Sequence, residues 1–422
     1  MRLSDNSSLY RRQRAEKRFR FYGQFALGLA VAILLLLVGS IVLRGASGFT
    51  QTQVRLPIAF DPMTLGLPPG SEAADASVSN YQLLAQASLK AMFPEVTDHH
   101  ELRDAYHLIS GNSGAVLKPV LVRHPGLLGQ TKNVWLPLVS DADLYVKDGM
   151  PDYTPGGYSK LNDKQIAWLK TLQQKNLLRA AFNRSFFTQG DSRSPERAGF
   201  LAAMAGSALT LIICLLVAFP LGVMTAVYLE EFARKGRFVD LIEVNINNLA
   251  AVPSIVFGLL GLAVYINVMG LPRSSALVGG MTLAMMILPV IIISTRAGLS
   301  SIPGSIRDAA RALGASPLQV VWHHALPLAM PGIMTGTILG MARAIGETAP
   351  LLMIGMVAFV ADVPTGFTTP TTVMPVQIYL WASSPETGFS EKTAAGIMVL
   401  LVLLLAMNAL AIFLRKRFEV RW

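Results

Sequence analysis

Six long apolar runs constrain this chain more than any other feature. They cover residues 21–43, 199–229, 247–269, 274–294, 329–360 and 393–414. Each holds the about 20 residues that a helix needs to cross roughly 30 Å of hydrocarbon. Lipid offers the backbone no water, so such a span must satisfy its own N–H and C=O groups, as a helix does. The expectation is an all-α polytopic membrane protein with six transmembrane helices. Pro220, Pro253 and Pro289 fall within spans and should kink them, with neighbouring helices satisfying the freed carbonyls. Gly258 with Gly261, and Gly336 with Gly340, suit close helix contacts in lipid.

Charge sets the orientation. A formal net charge of +10 raises the question of nucleic acid, but the basic residues cluster beside the apolar runs. That is the pattern of cytoplasmic membrane loops, so no nucleic-acid partner is expected. Arg2, Arg11, Arg12, Arg14, Lys17, Arg18 and Arg20 precede the first run. With the N-terminus inside, segments 1–20, 230–237, 295–328 and 415–422 hold most of the Lys and Arg outside residues 44–198. The short outer loops 269–273 and 361–392 hold only Arg273 and Lys392. Both termini are therefore expected on the cytoplasmic side, with residues 44–198 on the opposite side. Residues 21–43 are uncharged for longer than the about 7–15 residues of a signal peptide, and so read as an uncleaved anchor.

Residues 44–198 read as a soluble insertion, because charge returns there in nearly balanced amounts. Asn162 with Gln165 forms a capping-box pattern that opens an amphipathic helix running to about Phe182, with Ile166, Leu169 and Leu172 on its apolar side. Lys118–Val122 and Val134–Val139 read as strands, and Pro-Gly and Asp-Gly pairs as turns. A small α/β domain follows, long enough to bury its own core. His99, His100, His107 and His124 match no metal-ligand spacing and read as solvated surface. Cys214 is the only cysteine, so no intramolecular disulfide can form.

A polar hairpin separates the fourth and fifth runs. Ser305 with Asp308 makes a capping-box pattern for a helix through Leu313, which Gly314 ends in the left-handed conformation. Ser316, Pro317 and Gln319 start a second helix, and Pro327 and Pro331 are expected to close it. The hairpin is too polar for lipid and belongs at the membrane surface. Its series Asp308-Ala309-Ala310, Gly314 and Leu326-Pro327 resembles the EAA loop by which ABC-importer permeases dock onto their ATPase. This chain has Asp308 where the pattern has Glu, and His324 where it has an apolar residue. The resemblance implies ATPase docking through Asp308, Ala309, Ala310, Gly314, Leu326 and Pro327.

The fifth run carries two charges, Arg343 and Glu347, four residues apart and so on one helix face. An ionisable residue costs several kcal/mol inside a membrane unless it is paired or hydrated. Arginine suits an oxyanion, since its planar fork bonds two oxygens at once and never deprotonates. Glu347 would hold and balance it while no substrate is bound. The plainer reading is an ion pair that fixes helix packing. Arg296, at the cytoplasmic end of the fourth run, is a third candidate for the path, although an interfacial Arg more commonly snorkels.

The segment Ala342-Arg343-Ala344-Ile345-Gly346-Glu347-Thr348-Ala349-Pro350 closely resembles a motif of the PstA family of phosphate ABC-transporter permeases. Met374–Trp381 and the ending Arg417–Trp422 are similar to that family as well. The resemblance covers about residues 199–422 and the first span. It implies a type I ABC importer permease fold and inorganic phosphate as cargo. It also implies three partners: a PstC-like second permease, a PstB-like ATPase dimer and a PstS-like periplasmic phosphate-binding protein. Residues 44–198 resemble the extra N-terminal region of longer family members.

No G-x-x-x-x-G-K-[ST] phosphate loop, nucleophile triad or metal cluster occurs in the sequence. The chain is expected to be no enzyme and to hold no cofactor, with ATP and Mg bound by the partner ATPase. The expected mechanism is alternating access: the hairpin rocks the spans and phosphate passes near Arg343. Three rivals remain: a permease for sulfate or molybdate, a membrane-anchored sensor or adaptor, and a secondary transporter.

Overall fold

Residues 6–67, 75–150, 161–357 and 359–418 are described by a computed structural model. Arg2 and the last four residues of the Arg417–Trp422 ending lie outside the described residues.

The basic N-terminal segment and the first apolar run form one helix, α1 (Asn6–Gly48). Most of its apolar surface is exposed; only its last turns pack, with Gly45 and Gly48 against Ala394 and Glu391 of the final helix. The chain then enters β1 (Thr50–Ala59), whose alternating burial points Val54, Leu56 and Ile58 into a core. Helices α2 (Pro62–Leu65), α3 (Val78–Met92), α4 (His99–Tyr106) and α5 (Ser113–Arg123) follow. Next come β2 (Thr131–Pro137), α6 (Ser140–Lys147), α7 (Asp163–Gln174), β3 (Leu178–Phe182) and α8 (Arg184–Thr188). The sheet is antiparallel in the order β2-β1-β3, with Leu56 opposite Val134 and Thr52 opposite Ala180. Its helices cover it with Leu84, Leu89, Leu117, Leu121, Ile166, Leu169 and Leu172, all buried.

Two readings of this region are corrected. Lys118–Val122 is helical, part of α5: Leu117 and Leu121 face the core four residues apart, a helical and not a strand period. The Asn162–Gln165 capping box is present, but its helix stops at Gln174. Asn176 adopts φ +53°, a left-handed turn, and Leu178–Phe182 pairs with β1 instead.

Lys147 of α6 ties this region to the membrane helices. Its ammonium lies 2.9 Å from the carbonyls of Ser47 and Thr50, 2.8 Å from Asp143 and 2.9 Å from Glu391. Burial pulls its pKa down, but the two carboxylates outweigh burial and hold it above the ordinary lysine value. Close by, the Glu196 carboxylate accepts a hydrogen bond from Ser110 at 3.2 Å. Burial pushes the Glu196 carboxyl above its ordinary value despite its hydrogen bonds.

The membrane body begins with α9 (Leu201–Val227), which runs into a π-helical turn, Tyr228–Phe232. Then come α10 (Arg237–Ala250), α11 (Ser254–Gly261) with its π-helical continuation Leu262–Val268, and α12 (Ala276–Ser300). The hairpin comprises α13 (Gly304–Ala312), α14 (Pro317–Val320) and a π-helical turn, Val321–Ala325. It leads into α15 (Leu326–Gly346), followed by α16 (Ala349–Met353), α17 (Met374–Ala382) and α18 (Gly388–Phe418). Among the described residues, five helices are long and apolar enough to cross a membrane, and a bent pair makes up to six. That pair corrects the third span: Arg237–Ala250 and Ser254–Val268 meet at 101°. Pro253 sits in the break, where it supplies no N–H and disfavours helical backbone in the residue before it.

Helix α12 is the centre of the body, packed between α9 and α15, with Cys214, Leu283, Ile287, Ile291 and Met341 in the shared core. Gly336 of α15 lies so close to Ser294 of α12 that an added Cβ would overlap its side chain. Gly258 of α11 likewise lets the Pro350 backbone approach. Two readings of the fifth span are corrected as well. The helix ends at Gly346, not near 360. Pro327 and Pro331 do not close the hairpin, for the chain stays helical from Pro317 to Gly346. Pro327 follows the π-helical turn Val321–Ala325, where the regular i→i−4 ladder is already interrupted.

Candidate functional site

Arg343 stands in the last turn of α15. Glu347 follows just beyond the helix, with φ −79° and ψ 119°, so it caps the end and is not part of a continuing face. The Arg343 Nε lies 3.4 Å from Glu347 Oε1, a long contact. The Arg343 side chain is 44% exposed and Glu347 19%. Among the described residues Arg343 has no other hydrogen-bond or ion-pair partner, so most of its N–H donors are open.

A groove of about 640 Å³ runs between α12 and α15. Small side chains make it, notably Ser294, Ala297, Gly298, Gly332, Thr335 and Gly336. Gly332, Thr335, Gly336 and Leu339 recur at helical spacing, and Arg343 continues the same stripe four residues on. The lining stops at Leu339, one helical turn short of Arg343 on the same face of α15.

Arg296 lies elsewhere. Its guanidinium meets Glu230 at 3.3 Å and Glu243 at 2.7 Å, joining α12 to the end of α9 and to α10. It pairs with these two carboxylates near the hairpin end of α12, and the structure does not bring it together with Arg343.

The hairpin has the turn that its sequence dictates at Gly314, with φ +87°, and the Ser316–Gln319 capping box. The Ser305–Asp308 box does not form; α13 starts after Pro303 with no side-chain cap, and Asp308 lies 3.5 Å from Arg311 instead. Asp308, Ala309, Gly314 and Pro327 are exposed, Leu326 is half-buried, and Ala310 faces inward. Sequence reasoning missed Leu313, Leu318 and Trp322, large apolar side chains exposed at 91%, 65% and 66% on the same hairpin. The missed signal is three large apolar residues at positions that a solvated loop fills with polar ones. Also missed were Glu230, Glu231 and Glu243, adjacent to the ends of apolar runs where they answer Arg296 and Arg307. Among the described residues no group of three His, Cys, Asp or Glu side chains converges as a metal set.

Residues 218–420 match the family model described as the binding-protein-dependent transport system inner membrane component. Residues 6–155 match a domain of unknown function, DUF3333. The phosphate transport system permease protein PstA of Haemophilus influenzae is 32% identical over 255 residues, 60% of this chain and 87% of that protein. PstA of Yersinia pestis is 33% identical over 52% of this chain and 74% of its own length. Among solved structures, a chain of the MetNI methionine ABC transporter in an inward-facing conformation is 17% identical, with a TM-score of 0.40. That similarity covers 51% of this chain and 94% of the other.

Proposed function

This chain belongs to the PstA family of phosphate transport system permease proteins, and on that premise we propose that Arg343 meets phosphate on its way through the membrane. The chain is an inner-membrane permease subunit of an ATP-driven phosphate importer, a multi-pass protein that works in a complex with other subunits. One observation carries the role of Arg343: one turn beyond the groove on the same helix face, it keeps one long contact and most of its donors open. A planar fork of that kind can bind two oxygens of a phosphate, and release of the long, partly exposed Glu347 contact costs little.

The groove is open on one side, so a closed path around Arg343 requires a second wall, which a PstC-like permease supplies. ATP and Mg reside on a PstB-like ATPase dimer, which docks on Asp308, Ala309 and the turn at Gly314. The exposed Leu313, Leu318 and Trp322 support that reading, since a partner surface would bury them. Both termini lie in the cytoplasm, and the sheet-bearing region between α1 and α9 lies on the periplasmic side, where a PstS-like protein delivers phosphate. ATP-driven closure of the ATPase moves the hairpin, and the hairpin moves the spans.

Uptake of labelled phosphate at low external phosphate, in cells lacking this chain and then complemented with it, tests the reading. Restored uptake that excess phosphate suppresses, and excess sulfate or molybdate does not, is the expected result. Competition by sulfate or molybdate would transfer the architecture to another oxyanion.

A further inference from the structure

At the root of the hairpin one guanidinium holds three elements together. Arg307 of α13 bonds Glu231 through Nε, at 3.0 Å to Oε1 and 3.2 Å to Oε2, and through Nη2 at 2.6 Å. Its Nη1 donates to the Ile302 carbonyl and its Nη2 to the Leu299 carbonyl, both at 2.9 Å. The Leu299 carbonyl lies in the last turn of α12 and the Ile302 carbonyl just beyond its end. Glu231 belongs to the π-helical turn that ends α9, and its side chain is 6% exposed. Thus α13, α9 and α12 meet on one buried fork.

We propose that Arg307 is a positioning residue that transmits movement of the hairpin to α9 and α12 through its pair with Glu231. The proposal rests on the reading that the hairpin docks an ATPase. The next residue, Asp308, is exposed on the outer face, so a force applied there is delivered within the same helical turn to Arg307. The two helices that receive it form the packed centre of the body. The junction is a π-helical turn, a rare element that occurs frequently at functional sites. Beside it, Glu230 joins Arg296 of α12, which also holds Glu243 of α10. Adjacent carboxylates on one turn therefore bring four elements into register. Lysine cannot replace the fork, since an ammonium is a compact charge that does not match the bidentate geometry.

The test uses the whole complex in liposomes, with ATP hydrolysis and labelled phosphate uptake measured on the same preparation. The variants are Arg307→Ala, Arg307→Lys, Glu231→Gln and the Arg307→Ala/Glu231→Gln pair. The expected result is an ATPase that still co-purifies and hydrolyses ATP, while phosphate moved per ATP falls roughly tenfold in each Ala or Gln single variant. The double variant should be no worse than either single one, because the two residues act as one unit. Arg307→Lys should recover only part of the loss. An unchanged ratio of phosphate to ATP in both single variants overturns the proposal, and so do additive losses. Loss of the ATPase from both single variants also overturns it, by making the pair a part of the hairpin's own fold. A wild-type chain that never holds an ATPase brings down the docking reading itself.

Discussion

The two ends of the membrane body treat arginine in opposite ways. At the hairpin end Arg307 is 15% exposed and its fork is taken up by Glu231 and two carbonyls. At the far end of α15, about 30 Å along a helix of this length, Arg343 is 44% exposed with one contact at 3.4 Å. A guanidinium whose donors are spent can only hold structure together. One with open donors can take an anion. Residue type alone does not separate the two roles; the number of satisfied donors does.

Four substitutions sharpen or break this contrast. The largest effect is expected from Arg343→Ala, which should lower phosphate uptake on the order of 100-fold or more, the loss of charge-assisted hydrogen bonds, while the complex still assembles. Next is Gly314→Val: its φ of +87° is closed to a β-branched residue, at a cost of about 1–2 kcal/mol. ATPase co-purification should fall with it, and unchanged recruitment would separate the hairpin from docking. Glu347→Gln should change uptake only a few-fold, as expected for a partly exposed pair of small energetic weight, whereas Glu231→Gln uncouples. Equal effects from the two carboxylates would erase the contrast.

The smallest effect concerns Glu196, in the segment that leads into α9. Its folded pKa lies above 4.5, so the folded state binds the proton more tightly than the unfolded one. The ionised group therefore costs stability as pH rises from 4.5 through the raised value, and that cost persists at neutral pH. Glu196→Gln should raise thermal stability slightly at pH 7, by less than the ~1 kcal/mol typical of point mutations, and lose its advantage in acid. A melting series against pH checks this.

Much of the far site was legible in sequence. Two charges four apart in an apolar run name themselves, because lipid makes them costly. The hairpin turn was legible for a similar reason, since Gly314 and the Ser316–Gln319 box act within a few residues. The root of the hairpin was not, because Arg307 and Glu231 stand 76 residues apart and only packing joins them. The segment Leu178–Phe182 reads as a continuation of the helix before it, since Leu, Arg and Ala favour helices and pairing with β1 is a long-range event. The prolines misled in both directions. Pro253 breaks a span that reads as continuous, while Pro327 follows a π-helical turn that carries the helix past it.

Labelled phosphate uptake is the most direct test of the account. It should be measured in cells lacking this chain and complemented with wild type or Arg343→Ala, alongside the amount of assembled complex. Wild type should restore uptake, and Arg343→Ala should assemble equally well yet move almost no phosphate. Normal uptake by Arg343→Ala would contradict the account and leave the Arg343–Glu347 pair a packing feature.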